Sequence, residues 1–148
     1  MFGLFRAPVV EDPAIGPLKH ARGHWRGTLA IGGVPTPLAL FSSRSAPDEA
    51  ALAAARLIQP SYDGWKPAIA QALFEHLEPY TDRAGTPAHS QPGDVWAQVT
   101  LDSVAVIRLG GILTTDLVYA VAWDEEHLVG ARFQSGRFIE LCGSVLPA

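Results

Sequence analysis

Asp124, Glu125, Glu126 and His127 are four consecutive ionisable residues, and they lie between the apolar runs Leu117 to Trp123 and Leu128 to Phe133. Carboxylates and imidazole are what a zinc, manganese or iron site uses, and His127 beside Glu125 or Glu126 is also an acid/base pair able to shuttle protons. Neighbouring residues on a strand point to opposite faces, however, so at most about half of the four can converge unless the turn curls inward. No second cluster at ligand spacing occurs elsewhere in the chain, and neither a catalytic nor a metal site is assigned. The expected role is that of a hairpin tip, with Trp123 anchored in the core and His127 bridging the acidic turn. Trp123, Asp124, Glu125, Glu126 and His127 are kept as binding candidates.

His20 and His24 flank a turn at Ala21-Arg22-Gly23. Two imidazoles facing each other across paired strands could hold a metal, but the plainer reading makes them edge polar residues beside Trp25. His24 and Trp25 join the binding candidates. Nucleophilic catalysis has little to stand on: there is no Gly-x-Ser-x-Gly elbow, and Cys142 sits in a strand pattern where a buried, inert thiol is expected. The pairs Gly32-Gly33 and Gly110-Gly111 are not followed by helices, so neither is a phosphate loop. No cofactor is assigned.

The elements that must position these residues follow from periodicity. Residues 1–16 carry Pro8, Pro13 and Gly16 and read as an N-terminal arm. Residues 17–43 form a β-hairpin region in which Trp25, Gly27, Leu29 and Ile31 share one face and His24, Arg26 and Thr28 the other, at the period of two of a half-buried strand. Pro35 and Pro37 cannot donate ladder hydrogen bonds, which argues for a sheet edge. Residues 45–81 read as two helices. The first is capped by Ser45, places Ala51, Ala54, Ala55 and Ile58 on one face, and ends at Gln59-Pro60; the second carries Trp65, Ile69, Leu73 and Leu77 every four residues. Residues 82–94, with His89, form a long loop. Residues 95–145 read as a β-meander of five strands, separated by Asp102-Ser103, Gly110-Gly111, Asp124 to His127 and Ser135-Gly136. The expected fold is α+β: an antiparallel β-sheet formed from an N-terminal hairpin and a C-terminal meander, with two helices packed on one face of a single domain, residues 1–148.

Composition narrows the function classes. A chain of 148 residues is the usual size of one domain, and a formal net charge of −4 with pI near 5.6 gives no overall attraction for nucleic acid or an anionic membrane. The single Cys142 rules out an intrachain disulfide and fits a reducing compartment. The longest uncharged segment, Thr28 to Ser43, is broken by glycine and proline, and the N-terminus lacks a signal-peptide pattern, so a cytoplasmic location is expected. Hydrophobic residues are 48 % and charged residues 18 % of the chain, apolar enough that a homodimer is expected to cover part of the surface.

The stretches Ile15-Gly16-Pro17-Leu18, Trp25-Arg26-Gly27, Asp124-Glu125-Glu126-His127, Gly136 and Gly143 resemble a group of small bacterial proteins of unknown function. These look alike in an early Trp-x-Gly and a late acidic-Glu-His motif. The likeness spans most of Ile15 to Val145; where the group has a glycine directly after Glu-His, this chain has Leu128 and Val129 before Gly130. Some members look like immunity proteins, so the resemblance implies a binding role and no catalytic residues. The expected function is therefore non-enzymatic protein binding. A small metal-dependent or acid/base enzyme using the Asp124 to His127 cluster is the alternative, as is a small-ligand domain with a pocket between helices and sheet lined by Trp65, Trp96 or Trp123.

Overall fold

The computed structural model describes residues 8–41, 46–84 and 91–143. The first residues of the expected arm, the capping Ser45, His89 and Val145 lie outside the described residues. Eight strands form one sheet: β1 (Val9–Asp12), β2 (Gly16–Ala21), β3 (His24–Ile31), β4 (Val34–Phe41), β5 (Val99–Leu109), β6 (Ile112–Val121), β7 (Asp124–Gln134) and β8 (Arg137–Cys142). They lie side by side in chain order, and every neighbouring pair is antiparallel except β4 with β5. Between those two runs one α-helix, α1 (Glu49–Ala84, 36 residues), and a short 3-10 helix, Pro92–Gln98, leads into β5. The fold is α+β with a mostly antiparallel sheet.

Two four-stranded antiparallel meanders thus meet at one parallel seam, where Leu38 to Leu40 run beside Val104 to Val106. Two parallel neighbours cannot be joined by a tight turn, so the chain must cross over between them, and α1 is the crossover. The meanders are closed by turns whose backbone demands glycine: Gly32 and Gly33 have φ of 59° and 79°, and Gly110 and Gly111 have φ of 56° and 83°. Positive φ at both turn positions matches the twist of a two-residue hairpin.

Several expectations are corrected. Part of the expected arm is a strand, since Val9 to Asp12 pair with Gly16 to Lys19. In place of two α-helices there is a single one that passes through Pro60, Pro67 and Pro79. All three prolines are exposed, so the carbonyls they leave unpaired face water. The inner side of the helix buries Leu52, Ile58, Tyr62, Ile69, Leu73 and Leu77, and at about 1.5–3 kcal/mol for each large apolar side chain these offset three proline penalties of about 3 kcal/mol each. Val95 to Gln98 is 3-10 helix rather than strand, and Asp102 is a bulge inside β5 rather than a turn.

Register places Trp25, Leu40, Val106 and Thr115 on the same side of neighbouring strands. The first three belong to one continuous core cluster with Ala51, Ala55, Ile58, Ile69 and Leu73 of α1. Polar ties add direction to this apolar contact. Asp48 precedes the helix, accepts the Ala50 N–H at 2.9 Å and pairs with Arg108 of β5 at 3.0 Å. Buried Asp12 accepts the Ala14 and Ile15 amides and the Arg56 guanidinium. The Arg56 bond above all holds the Asp12 carboxyl below its ordinary range.

Candidate functional site

The acidic stretch occupies the start of β7. β6 ends at Val121, Ala122 and Trp123 make the turn, and Asp124 pairs with Val121 while Leu128 pairs with Ala120. Glu125, Glu126 and His127 are therefore extra residues on one strand, a bulged hairpin end instead of a simple turn. Asp124 gathers the segment. His127 Nδ1 lies 3.0 and 3.1 Å from its two oxygens, the Glu126 N–H donates to it at 3.3 Å, and the Tyr80 hydroxyl of α1 donates at 3.3 Å. The His127 bond above all keeps the Asp124 carboxyl below the usual carboxylate range. The Glu125 and Glu126 side chains are exposed.

Trp123 donates its indole N–H to His76 Nδ1 at 2.9 Å, and the His76 ring stacks on Tyr80 at 5.8 Å. The end of β6 is thereby fastened to the C-terminal half of α1. An imidazole that accepts at Nδ1 is neutral with its proton on Nε2, and burial pushes the His76 pKa down, against a smaller upward pull from Asp124. Below pH 6.5 an unfolded chain takes up a proton that folded His76 refuses. This contribution to stability is complete above pH 6.5 and is lost as pH falls through the folded value. Urea unfolding midpoints at pH 7.5 and 5.5 are expected to fall further for the parent than for His76→Gln, whose amide oxygen still accepts from Trp123. Equal falls in the two proteins would refute the assignment.

An imidazole oriented by a carboxylate is the acid/base half of a hydrolytic apparatus. Here His127 has Asp124 as its partner and no hydroxyl or thiol in hydrogen-bond contact among the described residues. Nor do the described residues contain a group of three or more His, Cys, Asp or Glu side chains placed to hold a metal ion. His20 pairs with Trp25 and His24 with Ala21, so the two imidazoles point to opposite sides of the sheet and cannot share a ligand. His20 packs edge-on against Trp25 at 5.2 Å, and His24 lies 4.0 Å from Phe41. Trp25 is fully buried and shows nothing to solvent.

A feature that periodicity alone does not reveal is an apolar groove of about 410 Å³ between the first half of α1 and the β6 and β7 ends. Ala50, Ala53, Ala54, Leu57 and Ser61 form one wall, and Ile112 and Leu113 stand on the other. Trp65 stacks on Phe133 at 4.2 Å and makes the base. Its sequence signal is a second helical stripe at i, i+3, i+4 and i+7, Ala50, Ala53, Ala54 and Leu57, beside the core stripe of Ala51, Ala55 and Ile58. Of the three tryptophans considered for a pocket, Trp65 lines this groove. Trp96 packs instead against Tyr119 and Lys66, and Trp123 against His76.

No known family model, curated protein or solved structure matches the chain. Among the described residues no helix is long and apolar enough to cross a membrane.

Proposed function

We propose that the chain is a non-enzymatic cytoplasmic domain that binds another protein, with the groove between α1 and the β6–β7 ends as the anchor site. One observation carries this reading: Leu57 and Ile112 are 60 % and 54 % exposed on opposite walls of one cavity. Single exposed apolar residues are ordinary, but two that face each other over the half-buried Trp65 stacked on buried Phe133 form the apolar centre and base that binding hot spots favour. The immunity-like role implied by the resemblance is of this kind, and an apolar partner side chain is the natural occupant. A volume of about 410 Å³ also falls in the range of small-molecule pockets, roughly 300–1,000 Å³. A small apolar ligand is therefore the rival outcome, and a second copy of the chain is another.

Cross-linking in native lysate followed by reconstitution with the identified partner tests the reading. Leu57→Asp and Ile112→Asp change exposed side chains and are expected to keep the parent unfolding midpoint while weakening the partner by about 30-fold, the ~2 kcal/mol of a hot-spot residue. A partner that binds both variants as tightly as the parent would overturn the proposal. Sedimentation of the isolated chain separates a homodimer from a heterologous partner, and native mass spectrometry detects a retained small molecule.

A further inference from the structure

A second cavity, of about 190 Å³, opens where the two meanders meet, and its construction is independent of the groove. The parallel seam extends only over Leu38 to Leu40. Pro37, the residue before it, has no N–H with which to continue the ladder, and Asp102 is the extra residue of the β5 bulge just before Ser103. The strands therefore part at this point. Arg26 of β3 stands beside Ala39, whose methyl group leaves room above the sheet.

The charges lining this gap are unusual in being unused. Arg26 and Asp102 line the same cavity, yet no ion pair or hydrogen bond engages the Arg26 guanidinium among the described residues. Buried Ser103 donates its hydroxyl to Asp102 Oδ2 at 3.0 Å, which orients the carboxylate and leaves its other oxygen free to accept. A guanidinium fork and an oriented carboxylate thus face one small space without closing on each other.

We infer that this cavity binds a small zwitterion of the α-amino-acid class, with the ligand carboxylate on Arg26 and its ammonium group on Asp102. The guanidinium is the side chain best shaped for a carboxylate, which it engages through two parallel hydrogen bonds. A simple anion would meet Asp102 and a simple cation would meet Arg26, so each charge selects against a ligand carrying only one. The space lies below the roughly 300 Å³ of drug-sized pockets, which favours a ligand of few heavy atoms. Pro37 and the Ala39 methyl, on the same side of the sheet as Arg26, supply apolar lining for a short aliphatic side chain.

Thermal unfolding and calorimetric titration of the full chain with glycine, L-alanine and L-valine test the assignment, with propionate and ethylamine as the single-charge halves of the ligand. Saturable binding of at least one amino acid is expected, with each half at least tenfold weaker. Arg26→Gln and Asp102→Asn each abolish the response while keeping the ligand-free unfolding temperature of the parent, since the amide introduced by the second change retains an oxygen for the Ser103 hydroxyl. Ser103→Ala, which leaves both charges in place, weakens binding without abolishing it. No saturable response to any of the three amino acids, propionate binding as tightly as L-alanine, or an Arg26→Gln variant that binds like the parent would each overturn it.

Discussion

Trp25→Ala lowers the unfolding free energy by about 3–5 kcal/mol, the cost of removing a large aromatic side chain from a close-packed interior. Trp25 is fully buried, belongs to the core that α1 completes, and carries the His20 ring against its edge. The glycine two residues later is part of the same construction. A Cβ on Gly27 would lie 2.7 Å from Leu18 Cδ2 and 3.2 Å from the Pro17 carbonyl oxygen. Leu18 is itself fully buried and the carbonyl belongs to the backbone, so neither can swing aside, and Gly27→Ala is expected to cost about 1–3 kcal/mol. Urea denaturation measures both. The spacing Trp-x-Gly thus has a packing origin: Trp25 fills the core while the absent side chain at Gly27, on the same face of β3, lets Pro17 and Leu18 of β2 close over it. A Trp25→Ala protein that unfolds at the parent midpoint but loses partner binding would show that Trp25 serves recognition instead.

The same motif shows what the sequence made legible. Alternation of Trp25, Leu29 and Ile31 with polar or small residues is a local pattern that needs only one buried face, and it placed β3 correctly. Gly32-Gly33 and Gly110-Gly111 marked their hairpins because positive φ at two successive positions excludes most other residues. The helix through Pro60 was not legible. Proline is a strong local stop signal, and only the burial of Ile58 and Tyr62 on either side of it, a tertiary fact, decides that the helix continues. The parallel seam, the Asp102 bulge and the pairing of Val9 to Asp12 are likewise properties of strand neighbours that no single segment announces.

The acidic stretch illustrates a different limit. Its residue types mark polar groups between strands, and strand geometry argues that they cannot all converge. The groups that organise them, His76 and Tyr80, come from α1, more than forty residues earlier; His76 lies beside the apolar stripe of that helix and Tyr80 at its margin. The groove was hidden for the opposite reason. Alanines at helical spacing read as close packing, and only the assembled sheet shows that Ala50, Ala53 and Ala54 face a gap instead of a neighbour.

The helix that forms one wall of that gap is also tied to β6, whose first residues form the other, by a buried hydroxyl pair. Tyr62 and Tyr119 meet oxygen to oxygen at 2.9 Å, and neither hydroxyl has another hydrogen-bond partner among the described residues. Burial raises both phenols above their ordinary pKa, most strongly Tyr119, so the pair stays neutral at neutral pH. Tyr62→Phe leaves the Tyr119 hydroxyl buried and unpaired and is expected to cost about 1–3 kcal/mol, and Tyr119→Phe strands Tyr62 in the same way. Tyr62→Phe/Tyr119→Phe removes both polar atoms together. It should recover most of the loss, because two phenylalanines leave nothing unsatisfied. Urea denaturation of the four proteins measures the cycle; losses that simply add would show that the hydroxyls are not each other's partner. Tyr62 lies one residue after Ser61 and three before Trp65, both of which line the groove, while Tyr119 shares β6 with Ile112 and Leu113 on the opposite wall. The bond therefore joins the helix and the strand that carry the two walls, at the far end of β6 from Ile112.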